Sequence, residues 1–382
     1  MKEKSIIVMG DVNSGKTEKF LFSSVEKAIS NEESILIIDS KEEYVKKFGY
    51  LKDKGYTTII INLKDPLNSE GYNPIEYAYK LYKSGDKDRA IDFLEYFSKS
   101  IFINTLNVDP FWDIASSNLF LGCVLGLFED ANEEEINLNS VYRMFGSGDD
   151  LCHFNQLTRY FSQKDKESLP YMYASSSVFA PMETRTSIIS VAKQKIGSLI
   201  NREKLSNLFS KTTFDIEKIK QEKTAIFIIN NEEDSDLNLL VAAFIKTIYE
   251  LVKNEERKFN IILDNFDFLP ETIDLKNYFN DSLNKQVNFV VATRDIEMLD
   301  KRYSNYIYKI CTLVNMSEYA NNKIEMKDNF VEYPKIKFYN INIFDMETKL
   351  SNTENSYQKN SNINNLMEQI DEKIENIKSE IK

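Results

Sequence analysis

Residues Gly10 to Thr17 read G-D-V-N-S-G-K-T, a spacing of residue types that suits the binding of phosphate. Gly10 and Gly15 let the backbone turn back on itself, so that the amides around Asn13 and Ser14 point at an anion. Lys16 adds a point charge for the outer phosphate oxygens, and the Thr17 hydroxyl suits the shell of a Mg²⁺ ion. Such a metal needs a carboxylate behind it. Asn260-Ile261-Ile262-Leu263-Asp264 is an apolar run ending in one, and the C-terminal end of a parallel strand is where ligands gather. Hydrolysis needs one more group, to take a proton from water. The residue after Asp264 is Asn265, whose amide holds water without accepting its proton. Asp267 follows two residues later and, in a continued strand, faces away from Asn265. Loss of a general base costs about 10²–10⁴ in rate, so these residues favour nucleotide binding over turnover.

The elements that must position this chemistry are legible as apolar runs. Ile6–Met9 leads into the loop, and the polar Thr17-Glu18-Lys19 opens a helix whose N-terminus favours an anion. Ile35–Ile38 and Ile59–Ile61 follow, spaced by polar segments of helical length, the alternation of a parallel sheet buried on both faces. From about Leu81 to Leu208 strand-like runs vanish. Apolar residues there recur at helical spacing, as in Ala90, Phe93, Leu94 and Phe97, which predicts a mostly helical insertion. Strands resume at Ala225–Ile229, Asn260–Leu263, Asn288–Ala292 and Lys309–Val314, with a helix over Leu237–Val252. The expected fold is α/β, a RecA-like P-loop domain with a mainly parallel sheet interrupted by a helical domain. Its expected parts are 1–80 with 209–345, 81–208, and a tail over 346–382. In the tail a polar linker (Ser351 to Asn362) precedes a short heptad seam through Ile363, Met367, Ile370, Ile374, Ile377 and Ile381.

Composition narrows the function classes. The chain has 382 residues, is 42% apolar and carries a net charge of -12, which excludes a basic surface over the whole molecule. Contact with nucleic acid must be local, in a channel or through a partner. The three cysteines, Cys123, Cys152 and Cys311, are far apart, and the single His153 has no ligand cluster around it. Structural zinc and histidine-based catalysis are not expected. The polar start Lys2-Glu3-Lys4 gives no sign of a leader, and the longest apolar run, Leu119 to Phe128, is too short to cross a bilayer.

Further stretches then resemble one family, the TraG/TraD-type coupling proteins of conjugation and type IV secretion, a branch of the RecA/FtsK-like motors. Ile37-Ile38-Asp39-Ser40-Lys41-Glu42 resembles its strand ending in D-P-K-G-E. Asn62-Leu63-Lys64-Asp65-Pro66, then Tyr72-Asn73-Pro74, resembles its L-x-x-P…Y-N-P stretch. Asp109-Pro110-Phe111-Trp112, Thr184-Arg185-Thr186-Ser187, Lys223-Thr224-Ala225-Ile226-Phe227 and Leu263-Asp264-Asn265-Phe266 follow in the family's order. The likeness runs from about Ile6 to Val314. Departures fall on the reaction centre. Asn265 replaces a glutamate, only Lys285 of Asn284-Lys285-Gln286 keeps a charge where an arginine finger is supplied, and Thr293-Arg294 lacks a sensor glutamine. The family's membrane helices are also missing.

The resemblance implies ATP and Mg²⁺ as cofactors, bound at Gly10, Asn13, Ser14, Gly15, Lys16 and Thr17, with Asp264 completing the metal site. It implies a homo- or hetero-oligomeric ring within conjugation or secretion machinery, handling DNA or a nucleoprotein through a local channel. The chain is expected in the cytoplasm, reaching the inner face of the membrane through a partner. Asp267 or Arg294 is open as a substitute for the missing catalytic groups. The alternative is a non-hydrolysing paralogue that regulates or scaffolds a competent motor. A kinase or GTPase reading leaves the other motifs unexplained, and no N-K-x-D is present. Hydrolysis by the isolated chain is expected well below a typical kcat of ~10 s⁻¹, and Asn265→Glu is expected to raise it.

Overall fold

The computed structural model describes residues 5–103, 110–146, 155–270, 273, 275–294, 296–303, 307–316 and 325–326. Asp109, Cys152, His153, the Ser351–Asn362 linker and the heptad seam lie outside these residues.

The strands are β1 (Ile6–Met9), β2 (Ser34–Ile38), β3 (Thr57–Asn62), β4 (Thr224–Ile229), β5 (Phe259–Leu263), β6 (Val287–Thr293), β7 (Thr312–Asn315) and β8 (Glu325–Met326). They form one sheet in the order β3-β4-β2-β5-β6-β1-β7-β8. Every pairing among β1 to β7 is parallel, and β8 joins β7 antiparallel. The strands before and after the helical stretch therefore share one sheet: Ile35 lies opposite Asn260 and Ile38 opposite Leu263. Every residue of β2, β4, β5 and β6 is buried. Coverage of both faces is what turns these strands into continuous apolar runs rather than alternating ones.

One strand begins later than expected. Lys309 and Ile310 belong to a helical turn, Ile307–Ile310, and the strand begins only at Thr312. Ile307 and Ile310 are both buried, one helical turn apart, and a short apolar run does not by itself distinguish a turn of helix from a strand.

The chain divides into two compact units, Met1–Glu70 with Thr213–Phe344, which carries the sheet, and a helical unit that includes Gly71–Thr212. The helical unit starts ahead of the textural change near Leu81, because Tyr72-Asn73 is tied into it. The Tyr72 amide donates to Leu208 O (2.8 Å), the Asn73 amide to Thr212 Oγ1 (3.1 Å) and Asn73 Nδ2 to Ile136 O (2.5 Å). Its central helix, Phe111–Asp130, is 20 residues long and contains the apolar run Leu119–Phe128. The helix is long and apolar enough to cross a bilayer by length and composition, yet most of it is buried inside its own unit. Ser116 and Ser117 are satisfied there, Ser116 Oγ donating to Ile188 O (3.0 Å) and Ser117 Oγ meeting Ser98 Oγ at 2.7 Å.

The topology sets the site. β6 lies between β1 and β5, so the strands that feed the phosphate loop and Asp264 stand two ladder steps apart, roughly 9–10 Å. Groups at the C-terminal ends of β1, β6, β5, β2 and β4 form one row.

Candidate functional site

The loop after β1 adopts the backbone that its sequence requires. Asn13 (φ 66°) and Gly15 (φ 83°) are left-handed, a region that asparagine and glycine enter most readily. A side chain at Gly10 would bring its Cβ within 2.5 Å of Ser14 Oγ and 3.0 Å of Met316 Cβ, so the turn closes only on glycine. A wide π-type turn, Lys16–Leu21, follows and runs on into the helix Phe22–Ser30; such turns recur at functional sites. Lys16 is buried, and its ammonium donates to Gly10 O and to Asp11 O (3.0 Å) across the loop. Burial lowers its pKa, while the charges of Asp264 and Asp267 hold it up. Phosphate oxygens are stronger, charged acceptors than peptide carbonyls, so the same ammonium can exchange these partners for a phosphate. Ser14 Oγ is shielded from solvent with no hydrogen-bond partner among the described residues.

Asp264 stands at the end of β5 and is buried. Its Oδ2 accepts hydrogen bonds from Thr17 Oγ1 (2.9 Å) and Tyr44 Oη (3.0 Å), and its Oδ1 accepts from the Asn265 amide (2.9 Å). Burial raises its pKa, and these three donors together with the Lys16 charge oppose the rise. Tyr44 is a site residue that the sequence reading missed. It lies on the helix Glu43–Phe48 after β2, with Phe22 edge-on at 5.0 Å. Asp39, at the end of β2, fixes that helix by accepting from the Glu43 and Val45 amides, both at 2.9 Å. Its burial pushes the Asp39 carboxyl up to about 6, against those amides.

The groups named for hydrolysis separate into two clusters. Asp267 accepts from Thr293 Oγ1, from the Arg294 amide (2.9 Å) and from Arg294 Nε (3.3 Å). Arg294 also lies over the Phe268 ring at 4.9 Å. Asp267 thus clamps the end of β6, and its carboxylate is committed to Thr293 and Arg294. Asn265 is left-handed (φ 54°, ψ 47°), and its Nδ2 donates to Glu232 Oε1 at 2.7 Å. Glu232 follows β4 and was not singled out in the sequence. Lys285, in the stretch where the family carries an arginine finger, precedes β6, at the opposite end of the strand from Arg294, and donates to Asn254 Oδ1 (2.6 Å).

Among the described residues no group of three or more His, Cys, Asp and Glu side chains is placed to hold a metal. A hydroxyl and a single carboxylate 2.9 Å apart at Thr17 and Asp264 instead fit Mg²⁺, which prefers one or two carboxylates plus phosphate oxygens and water.

A phosphate loop after β1, an aspartate-tipped β5 and a strand inserted between them define a RecA-like P-loop domain. The profile of the type IV secretory system conjugative DNA transfer family matches residues 3–270. The chain belongs to that family. Among solved structures it is similar to the plasmid coupling protein TrwB in complex with the non-hydrolysable ATP analogue ADPNP (TM-score 0.58, 15% identity, 82% of this chain and 70% of that one). It is likewise similar to TrwB in complex with ADP and Mg²⁺ (TM-score 0.58, 16% identity, 81% and 70%). The unbound monoclinic form of the bacterial conjugative coupling protein TrwBdeltaN70 gives a TM-score of 0.56 at 15% identity, covering 81% and 68%. At these identities the likeness is one of fold. No curated protein matches the chain by sequence.

Proposed function

We propose that this chain binds ATP–Mg²⁺ at Gly10–Thr17 and serves conjugative DNA transfer as a coupling-protein-like component, working in a ring on DNA or a nucleoprotein. The observation that carries the reading is the Thr17–Asp264 hydrogen bond at 2.9 Å beside a glycine loop with left-handed turns at Asn13 and Gly15. In this reading Lys16 neutralises the outer phosphates, Thr17 and Asp264 hold the hydrated metal, and Tyr44 keeps the Asp264 carboxylate turned toward them. The sheet-bearing unit is the nucleotide domain, and the helical unit is the insert that meets substrate or partner. Bound Mg²⁺ supplies charge neutralisation on the phosphates. Family membership supports the transfer role and a place at the cytoplasmic side of a membrane assembly. The net charge of -12 confines any DNA contact to a local channel.

Calorimetric titration of ATP–Mg²⁺ tests the binding. Lys16→Ala is expected to weaken it at least tenfold, ~1.4 kcal/mol, and equal affinity in both proteins overturns the assignment. Loss of plasmid transfer from donor cells carrying Lys16→Ala tests the role. The amide at position 265 favours a second reading, a non-hydrolysing partner of a competent motor. Single-turnover hydrolysis, with and without single-stranded DNA, separates the two.

A further inference from the structure

We propose that Glu232 is the proton acceptor for the water that attacks the terminal phosphate, with the Asn265 amide orienting that water; the inference rests on the nucleotide-binding reading above. Besides Asp39, whose oxygens accept from the Glu43 and Val45 amides, three carboxylates bear on the end of β5 and its turn. Asp264 accepts from Thr17, Tyr44 and the Asn265 amide and faces the metal position. Asp267 is held by Thr293 and Arg294. Glu232 is only half-buried, accepts from Asn265 Nδ2 through Oε1 at 2.7 Å, and has no hydrogen bond to Oε2 among the described residues. Of these three it is the one with an oxygen that accepts no hydrogen bond among the described residues, and it is partly exposed to solvent.

The turn that carries Glu232 is built rather than loose. Asn238, buried in the helix Ser235–Val252, donates from Nδ2 to Glu232 O (3.1 Å) and accepts at Oδ1 from the buried Asn230 (2.8 Å). Asp234 caps the same helix by accepting from the Leu237 amide (3.1 Å). Asn238 thus holds the Glu232 backbone by one hydrogen bond, Asn230 holds Asn238 in turn, and Asn265 meets the Glu232 side chain. A glutamate at position 265 would sit directly beside Asp264. The Asn265–Glu232 pair sets the carboxylate one amide side chain outward from that position, and in this proposal the attacking water is held by the pair.

In the step itself the water oxygen forms a bond to the terminal phosphorus. The bond from that phosphorus to the bridging oxygen breaks, and ADP departs with the electron pair. The proton lost by the water passes to the Glu232 carboxylate and then to solvent.

The test compares the full chain with Glu232→Gln, which keeps an acceptor for Asn265 Nδ2, and with Glu232→Asp. ATP–Mg²⁺ affinity is read by calorimetry, and hydrolysis by single turnover across pH. Glu232→Gln is expected to bind ATP as the wild type does, to lose about 10²-fold or more in single-turnover rate, and to lose the acid limb of the pH profile. Glu232→Asp is expected to retain part of the rate and the acid limb. Equal rates in wild type and Glu232→Gln overturn the inference, as does a wild type that binds ATP without turning it over. A fall in affinity matching the fall in rate makes Glu232 a binding residue and overturns it too. A wild type that binds no ATP overturns the nucleotide reading itself, which calorimetry registers separately.

Discussion

Asn265→Glu restores the glutamate that the resemblance places after Asp264, yet the structure predicts that the single substitution costs stability. Two terms set the cost. The backbone at 265 is left-handed (φ 54°, ψ 47°), a region that asparagine tolerates and most L-residues enter at about 1–2 kcal/mol. The new carboxylate also arrives where Nδ2 now stands, 2.7 Å from Glu232 Oε1. Two unit charges about 4 Å apart repel by ~4 kcal/mol at an effective dielectric of 20. Glu232 is partly exposed, and solvent and side-chain swing remove much of that. A net loss of about 1–3 kcal/mol is expected, seen as a lower midpoint in urea denaturation. Adding Glu232→Gln removes the repulsion and leaves the backbone cost. The double variant is therefore expected to be more stable than Asn265→Glu, with a coupling of about 1–2 kcal/mol in a double-mutant cycle. It is also expected to hydrolyse faster than Glu232→Gln, because it carries one carboxylate at the position next to Asp264. Additive stabilities across the cycle would refute the meeting of these two side chains. An Asn265→Glu protein as stable as the wild type would refute both terms at once.

Other consequences are more local. Tyr44→Phe removes a donor from a buried carboxylate and is expected to cost about 1.5–3 kcal/mol; it should also shift the Mg²⁺ concentration needed for ATP binding, and an unchanged Mg²⁺ titration would argue against its positioning role. Gly122→Ala places a Cβ 2.5 Å from Ala174 Cβ and 2.8 Å from Pro170 O, and overpacking of that kind costs about 1–3 kcal/mol by chemical denaturation. Asp39 has a folded pKa raised to about 6 from 3.8, so its contribution to stability is greatest below the unfolded value and is lost as pH rises through about 6. Between those limits the change is at most ~3 kcal/mol; the wild type should lose more stability from pH 4 to pH 7 than Asp39→Asn does, and parallel profiles would refute the shift.

The sheet was legible because parallel strands covered on both faces must be apolar throughout. Ile6–Met9 matches its observed strand residue for residue, and the other runs fall within a residue or two until Lys309, where a helical turn intervenes. Strand order was not legible, since nothing local to β6 says that it inserts between β1 and β5. That order decides which side chains meet. Tyr44 reaches Asp264, and Glu232 reaches Asn265, only because β2 and β4 lie on the side of β5 away from the loop. In the sequence Asp267 is open as a substitute base, facing away from Asn265 if the strand continues. The chain turns instead at Asn265, through a left-handed residue into a short 3₁₀ turn, and delivers Asp267 to the end of β6.

The same turn changes what Asn265 means. In the sequence it looks like the loss of a catalytic group, because a family glutamate has become an amide. In the structure it is a residue suited to a left-handed backbone, and its side chain is joined to a carboxylate that the strand order brings from β4. If Glu232 is the proton acceptor, the working carboxylate of this site stands one side chain away from position 265; if not, position 265 is simply degenerate. The buried Asn230–Asn238 pair holds the turn that carries Glu232. Asn238→Leu, which breaks that pair and frees the turn while leaving Asp264, Asn265 and Glu232 unchanged, separates the two views. If the carboxylate is in use, this variant is expected to lose single-turnover rate about tenfold or more while ATP–Mg²⁺ affinity, measured by calorimetry, stays level. If position 265 is merely degenerate, rate and affinity are both indifferent to the substitution, and stability alone falls.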